Sequence, residues 1–341
     1  MNESRIYLDA QGGQHPNQTI SDMSKAMLSL SWNDGKSRHF EAAASQTARE
    51  IAIDTLAKGF GVKANQIVPI HRLGNVFEIL AELYPDSAVS SVSRKGALQS
   101  FTGTKLTVDN VGRINQFTGY KSFFAPAANQ ETGVIENLEQ ISSKTGALAI
   151  VDATEWIGRT KNLPAGEILI AKASSWAGPN SVCFIISKDQ SIEIDARKRA
   201  QLMPDDFALL WAASAFENLG DISETEERIR GFSIEICGAL ASFNQITIHG
   251  DKHALPHLIS FDIKNVDSET AALTFDKFAI AVGSGSACAV SNSQSSHVLE
   301  AMGVASAGNV RLSIPLDFEQ KDVDFFVEKL PAIVAELSQT L

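Results

Sequence analysis

Short apolar runs alternate with amphipathic helical segments through the first half of the chain, and this alternation constrains the fold more than any other feature. The runs at 66–70 and 148–151 have the length and continuous apolar character of strands buried on both faces. The segments at 41–58 and 135–144 place their apolar residues at helical spacing. The pattern predicts a mostly parallel sheet covered by helices on both faces, with functional loops at the carboxyl ends of the strands.

The second half of the chain has a different pattern. It is helical from about 205 to 243, and strands and helices then alternate again to the end. We therefore predict a large α/β domain at 17–219 and a smaller α+β domain made of residues 1–16 and 220–341.

Composition and charge exclude several classes of protein. The 341 residues carry a net charge of -11 without a local block of lysine and arginine, which argues against nucleic acid as a partner. No apolar stretch is long enough to span a membrane, and the N-terminus leads directly into a strand-like run without the apolar core of a signal peptide. We expect a soluble, cytoplasmic protein without a membrane partner.

The chain contains only three cysteines, Cys183, Cys237 and Cys288. They are widely spaced and form no Cys-x-x-Cys pair, which fits neither a disulfide framework nor a structural zinc site, so no metal is expected. Cys183 and Cys237 lie inside apolar runs and are predicted to be small buried hydrophobic residues. Cys288 lies in a loop rich in small residues, where a thiolate can be exposed.

Several short motifs follow one another along the chain: 6–9 (IYLD), 128–133 (ANQETG), 151–153 (VDA), 283–288 (GSGSAC) and 310–313 (VRLS). In this order and spacing they resemble the cysteine desulfurases, the class V branch of the fold-type I pyridoxal-phosphate enzymes. The resemblance runs along almost the whole chain, and the last two motifs are the most specific. It implies the fold-type I architecture: a large domain with a mostly parallel seven-stranded sheet flanked by helices, and a smaller α+β C-terminal domain that carries the Cys288 loop.

The resemblance also implies a reaction. In the family, L-cysteine is converted to L-alanine, and the sulfur stays on the enzyme as a persulfide. Cys288 matches the nucleophile that receives the sulfur, and Arg311 matches the arginine that holds the substrate carboxylate through two parallel hydrogen bonds.

Two residues match positions that contact the cofactor in the family. Asp152 ends a buried strand, where a carboxylate needs a partner to offset its desolvation. The resemblance implies that this partner is the pyridine nitrogen of pyridoxal phosphate, whereas the position alone is equally typical of a cap at a strand-to-helix turn. Asn129 would lie beside the phenolic oxygen of the cofactor, near the substrate.

The chain departs from the family at the lysine that binds the cofactor. In the segment 172–181 (KASSWAGPNS), Ser175 stands where that lysine belongs, next to Ser174. A hydroxyl cannot form a Schiff base with an aldehyde. Lys172 lies three residues earlier, about 10 Å along a strand, and we expect it to be a strand-end lysine that reaches solvent.

The surroundings of the cofactor depart as well. The phosphate-binding Thr-Ser-Gly-x-Thr-Glu loop of the family is replaced by IHRLGN at 70–75, where Arg72 at a helix N-terminus could still bind an anion. The histidine that stacks on the cofactor ring is replaced by Arg94, which we expect to be a surface arginine.

Two hypotheses follow from the motifs and the departures. In the first, the protein is a cofactor-free relative that acts as a sulfur acceptor, a regulator or a partner, in a homodimer or in a heterodimer with a lysine-bearing desulfurase, and uses Cys288 and Arg311 on L-cysteine or a persulfide. In the second, it is an active cysteine desulfurase that holds pyridoxal phosphate non-covalently or through Lys172, with Asp152, Asn129, Arg72 and Ser174 around the cofactor.

Overall fold

The computed structural model describes residues 5–16, 18–33, 35–188, 192, 194, 198, 201–284, 296–304 and 308–339. The strands within these ranges are β1 (Ile6–Leu8), β2 (Ile67–His71), β3 (Ala88–Ser90), β4 (Lys105–Leu106), β5 (Ser122–Pro126), β6 (Leu148–Asp152), β7 (Ile168–Lys172), β8 (Val182–Ser187), β9 (Ile246–His249), β10 (Leu258–Ile263), β11 (Ile280–Ser284) and β12 (Asn309–Ser313). The helices are α1 (Gln18–Ser31), α2 (Phe40–Phe60), α3 (Leu73–Leu83), α4 (Lys95–Ser100), α5 (Leu138–Thr145), α6 (Asp206–Glu217), α7 (Ile222–Ala241), α8 (Ser268–Lys277), α9 (His297–Ala301) and α10 (Gln320–Gln339). No helix in this part of the chain is long and apolar enough to cross a bilayer.

The larger sheet has seven strands in the order β2-β8-β7-β6-β5-β3-β4. Strand β8 runs antiparallel to both of its neighbours, and the other six strands run in one direction. Helices pack on both faces of this sheet, as the two apolar cores on either side of it show. The predicted fold class, a mostly parallel seven-stranded sheet flanked by helices, is confirmed.

Alternate residues of the central strands face opposite cores because successive side chains of a strand point to opposite faces. In β6, Ala149 and Val151 join the core beneath α2 and α6, while Ile150 joins the core beneath α3 and α4. All three are fully buried. Burial on both faces explains why this segment is apolar without interruption.

Two glycines in α2 have different roles. Gly61 ends the helix at a φ of 67°, and its N–H donates to the carbonyl oxygens of Ala57 and Lys58, which is the expected C-terminal cap. Gly59 lies inside the helix, where an added Cβ would come within 2.3 Å of the Phe216 ring on α6. The helix therefore ends at Gly61, whereas Gly59 permits close packing of α2 against α6.

The smaller sheet has five strands in the order β1-β11-β12-β10-β9, and only the β1–β11 pairing is parallel. Its core includes apolar residues of α7, α8 and α10. The N-terminal strand β1 belongs to this sheet and pairs with β11, which in turn pairs with β12, the strand of Arg311. Asp9 directly follows β1. The domain limits at 16 and 220 stay a prediction; residue 220 falls in the turn between α6 and α7.

Candidate functional site

The candidate site lies at the carboxyl edge of the large sheet, because the parallel strands all end there. Arg94 follows β3, Asn129 follows β5, Asp152 ends β6 and Lys172 ends β7. Strand β2 ends at the same edge but lies at the border of the sheet, beyond β8 and β7. Arg72, which follows β2, is therefore separated by two strands from the strand of Asp152.

Both carboxylate oxygens of Asp152 already have partners. Oδ2 accepts a hydrogen bond from Arg94 Nε at 3.1 Å. Oδ1 accepts from the Thr154 backbone N–H at 3.0 Å and from its hydroxyl at 2.6 Å. Asp152 is only 4% exposed, so these contacts replace the water that it loses. The carboxylate thus caps the turn after β6 and forms an ion pair.

Arg94 is held by three side chains at this turn. Besides Asp152, its guanidinium donates to Thr154 Oγ1 at 2.9 Å and to Glu155 Oε1. Burial by itself lowers the pKa of Arg94, but the two carboxylates outweigh that effect and raise it. The expectation of a surface arginine is therefore wrong. Its side chain is 23% exposed and lies across the end of β6.

A second arginine and a histidine extend this ionic cluster towards the small sheet. His257 Nε2 lies 3.6 Å from Glu155 Oε2, and both side chains are buried. Buried Arg159 donates to the Ile314 carbonyl oxygen at 3.0 Å. Burial raises the pKa of Glu155, but His257 and Arg94 outweigh it, so the net effect is a lower pKa. We define Arg94, Asp152, Glu155, His257 and Arg159 as the ionic cluster.

The His257 imidazole makes stability depend on pH. Burial lowers its pKa from 6.5 to about 4, with Arg159 acting in the same direction and Glu155 opposing it. The fold therefore holds the imidazole neutral, while the unfolded chain binds a proton below pH 6.5. The stabilisation is complete above pH 6.5 and is lost as the pH falls towards 4.

We expect the urea unfolding free energy to fall by about 3 kcal/mol between pH 7 and pH 4 through this group alone. The variant His257→Gln removes that contribution, so its stability should depend less steeply on pH in this window. His253→Gln, at an exposed position, serves as the control and should retain the wild-type slope. Equal slopes for wild type and His257→Gln would contradict the assignment.

Lys172 lies close to Arg94 and Asp9. Its Nζ donates to the Gln11 carbonyl oxygen at 3.4 Å, and the side chain is partly buried. Burial, followed by the nearby Arg94 guanidinium, lowers its pKa. Lys172 ends β7, as predicted, but it is only partly exposed and its amine bonds the Gln11 carbonyl oxygen.

Ser174 and Ser175 form a short 3-10 helix directly after β7. The Ser175 hydroxyl donates to the Thr154 carbonyl oxygen, which ties this turn to the turn after β6. Gln14 Nε2 donates to the Ser174 carbonyl oxygen at 2.8 Å, while Gln14 Oε1 accepts from the Leu316 N–H at 2.9 Å. These hydrogen bonds anchor the two serines beside the ionic cluster.

The side chain of Asn129 holds its own loop together. Its Oδ1 accepts from the backbone N–H groups of Glu131 at 2.8 Å and Thr132 at 3.0 Å, and its Nδ2 donates to the Val92 carbonyl oxygen at 3.1 Å. Asn129 is 2% exposed. These bonds join the turn after β5 to the segment after β3, which positions Arg94.

Arg72 occupies a backbone conformation that favours glycine. Its φ is 67°, and it immediately precedes the first turn of α3. By the resemblance, the matching position of the family's phosphate loop carries glycine. The Arg72 side chain is exposed, away from the ionic cluster.

Arg311 and Asp9 face each other on the small sheet. Arg311 Nη2 lies 3.6 Å from Asp9 Oδ1, longer than a normal hydrogen bond. Arg311 Nε and Asp9 Oδ1 are both buried and have no hydrogen-bond partner among the residues that the structure describes. Gly283 lies between them, and an added Cβ would come within 2.7 Å of Asp9 Oδ1 and 2.9 Å of Arg311 Nη2. Sequence analysis gave Asp9 no role.

The structure gives the surroundings of Cys183 but not those of Cys288. Cys288 lies outside the described residues, so its position relative to Arg311 stays a prediction. Cys183 is fully buried, and burial raises the pKa of its thiol to about 12. Within the described ranges, no cluster of three or more histidine, cysteine, aspartate or glutamate side chains could hold a metal ion.

Solved structures identify the class of fold. A NifS-like protein superimposes with a TM-score of 0.84 and 19% identity, over 98% of this chain and all of that chain. A NifS-like protein from Rickettsia africae gives a TM-score of 0.80 and 17% identity, over 97% and 100% of the two chains. The fold is therefore that of these NifS-like proteins.

Sequence comparisons support the same family. The model of the class-V aminotransferases matches residues 204–326. Cysteine desulfurase 2 of Trichormus variabilis is 26% identical over 281 residues, which cover 74% of this chain and 69% of the relative. A cysteine desulfurase of Gluconacetobacter diazotrophicus is 27% identical over 274 residues, which cover 71% and 68%. The similarity to class-V aminotransferases and to cysteine desulfurases agrees with the motifs.

Proposed function

We propose that this chain is a cysteine desulfurase-like protein of sulfur metabolism that works without pyridoxal phosphate and acts as a sulfur acceptor, a partner or a regulator through Cys288. One observation carries the proposal: the Arg94 guanidinium binds Asp152. By resemblance, Asp152 is the carboxylate that would bind the ring nitrogen of the cofactor. In this chain a side chain of the protein itself neutralises that carboxylate.

The described residues do not fit the ring of pyridoxal phosphate. A protonated ring nitrogen and a guanidinium are both cations that donate hydrogen bonds, and they would compete for Asp152 Oδ2. The other oxygen, Oδ1, already accepts two bonds from Thr154. A ring that displaced Arg94 would also leave the buried carboxylate of Glu155 without that contact. The cluster is therefore complete without the ring.

The positions matched to the aldehyde and phosphate ends of the cofactor support the same proposal. Ser175 carries a hydroxyl, which bonds the Thr154 carbonyl oxygen, so the matched position offers no amine for a Schiff base. Arg72, at the position matched to the phosphate loop, is exposed and two strands removed from β6. These changes affect separate strand ends, and together they fit a protein that has lost one cofactor.

A sulfur acceptor needs a thiol but no cofactor. The Cys288 thiolate attacks the outer sulfur of a persulfide donor, a new S–S bond forms at Cys288, and the donor leaves as a thiolate. The oxidation state of the transferred sulfur is conserved, so the step needs no separate oxidant. A lysine-bearing desulfurase is a donor of this chemical class, either in a heterodimer or in a separate complex. Alternatively, the chain forms a homodimer. The proposed compartment is the cytoplasm.

A second candidate function rests on Lys172. Its amine lies near the Gln11 carbonyl oxygen, and burial lowers its pKa, which favours the nucleophilic neutral form. In this alternative the chain is an active cysteine desulfurase, which holds pyridoxal phosphate through Lys172. Arg94 would then have to leave Asp152.

Near-visible absorbance separates the two candidates. The protein is mixed with pyridoxal phosphate, passed through a desalting column and scanned before and after addition of L-cysteine. We expect no retained band and no shift. A retained band that shifts with L-cysteine would overturn the cofactor-free proposal.

Borohydride reduction then locates any Schiff base. Peptide mass spectrometry compares pyridoxyl labelling of Lys172 with that of Lys321, whose side chain is 74% exposed. The proposal predicts labelling of Lys172 no greater than that of Lys321. Selective labelling of Lys172, absent in Lys172→Arg, would establish the second candidate.

A further inference from the structure

The charged groups of Asp9 and Arg311 lie close together but farther apart than a normal hydrogen bond. Their nearest charged atoms, Asp9 Oδ1 and Arg311 Nη2, are 3.6 Å apart, and the two side chains are 31% and 15% exposed. Asp9 Oδ1 and Arg311 Nε have no hydrogen-bond partner among the described residues. Buried polar atoms without a partner are uncommon in native proteins, so this arrangement requires an explanation.

Backbone hydrogen bonds around the pair keep the two charged groups at this separation. The Ala10 N–H donates to the Ser313 carbonyl oxygen at 3.0 Å, and the Gln11 N–H donates to the Ser313 hydroxyl at 3.0 Å, which fixes the segment after β1 against β12. Gly283 provides the space between the two side chains. The opposite charges are therefore placed side by side by strands rather than by flexible loops.

The negative charge of Asp9 and the positive charge of Arg311 are complementary to the ammonium and the carboxylate of a free α-amino acid. In such a molecule the ammonium nitrogen and the carboxylate carbon are about 2.5 Å apart, which suits two neighbouring receptors of opposite sign. Burial raises the pKa of Asp9 even though Arg311 and Lys172 both act to lower it. The two cations therefore offset only part of the desolvation of this carboxylate, and an ammonium group would offset more of it.

We propose that the Asp9–Arg311 pair binds an intact zwitterionic α-amino acid, with its ammonium on Asp9 and its carboxylate on Arg311. The inference rests on the proposed function, because it takes the amine of the ligand to be free rather than joined to a cofactor. It goes beyond the carboxylate role of Arg311 by assigning Asp9 as an ammonium-binding residue. The ligand side chain is then free to point away from the pair, so L-serine should bind as well as L-cysteine.

The test is calorimetric titration of the full chain under reducing conditions at pH 7. The probes are L-cysteine, L-serine, cysteamine, which lacks the carboxylate, and 3-mercaptopropionate, which lacks the ammonium. We expect the two amino acids to bind at least 10-fold more tightly than either truncated compound, since a charge-assisted hydrogen bond contributes about 1.5–3 kcal/mol and 1.4 kcal/mol is tenfold in affinity.

Variants then assign the ammonium contact. Asp9→Asn should weaken L-cysteine at least 10-fold without weakening 3-mercaptopropionate, a selectivity that a general loss of structure would not produce. Asp276→Asn, which removes a carboxylate from an exposed pair with Arg5, is the matched control and should bind like wild type. Equal affinity of wild type for L-cysteine and 3-mercaptopropionate, no binding of either, or equal weakening of both by Asp9→Asn would each overturn the inference.

The two proposals fail separately. If Cys288 accepts sulfur but the protein does not prefer zwitterions, only the amino-acid site is wrong. If the zwitterion preference is present but Cys288 takes up no sulfur, the amino-acid site stands without the acceptor function.

Discussion

Arg94→Met is expected to lower the free energy of unfolding by about 3 to 5 kcal/mol, the range for breaking a buried ion pair from one side. Methionine keeps much of the aliphatic length of arginine but leaves Asp152 and Glu155 without their shared cation. Asp152 is 4% exposed and Glu155 is 9% exposed, so neither carboxylate regains full hydration. Urea unfolding at pH 7, followed by circular dichroism, measures the loss.

Two further variants show that the effect comes from uncompensated charge. Arg230→Met removes a more exposed arginine, paired with Glu226 one helical turn away, and should cost less than about 1 kcal/mol. Arg94→Met combined with Asp152→Asn removes charge on both sides and should recover part of the stability lost in the single variant. A loss in Arg94→Met no larger than that in Arg230→Met would contradict the buried cluster.

The fold could be predicted from the sequence because the evidence for it is local. The continuous apolar run that forms β6 indicates a buried strand, because both faces of the strand are covered. The end of α2 follows from Gly61, whose left-handed φ is readily adopted by glycine. Each of these features depends on neighbouring residues only, so periodicity and turn chemistry were sufficient to place it.

The ionic cluster could not be predicted because its partners are distant in sequence. Arg94 and Asp152 are 58 positions apart, and they meet only because β3 and β6 end at the same edge of the sheet. His257 precedes a strand of the other sheet, so its proximity to Glu155 depends on how the two sheets pack. From sequence alone, the side chain of an arginine in the loop 91–94 can be either exposed to solvent or buried. Only the tertiary structure distinguishes them.

The motifs located the positions of the site but not its contacts. Asp152 was placed at a strand end by its VDA motif, and the structure puts it there. What it binds depends on Arg94, for which the family offered a histidine and therefore no precedent. Asp9 stood in the IYLD motif without a role, and the signal that singles it out, an unpaired buried oxygen beside Arg311, is visible only in three dimensions.

Sulfur uptake should require Cys288 because the other two cysteines are poor nucleophiles. The thiolate is the reactive form of cysteine. Burial raises the pKa of Cys183 to about 12, which leaves roughly one thiol in 10⁵ ionised at pH 7. Burial also raises the pKa of Cys237, although Ser233 partly opposes it. A free thiol with a pKa near 8.5 would be ionised to a few per cent.

We therefore expect Cys288→Ser to reduce sulfur uptake at least about 100-fold, while Cys237→Ser and Cys183→Ser retain it. The donor is a lysine-bearing cysteine desulfurase supplied with L-cysteine. The reduced protein is incubated with this donor, separated from it, and analysed by mass spectrometry for the addition of one sulfur atom to the Cys288 peptide. A donor reaction without L-cysteine gives the background.

The alternative outcomes identify different chemistry. Sulfur on Cys237 that persists in Cys288→Ser would show that the acceptor is elsewhere, and the function proposed for the GSGSAC loop would be wrong. Sulfur on Cys288 that forms from L-cysteine without any donor enzyme would show that the chain generates persulfide itself. In that case the lowered pKa of Lys172, and not the ion pair of Arg94, would be the feature that determines the activity, and reduction of the Schiff base at Lys172 should then abolish it.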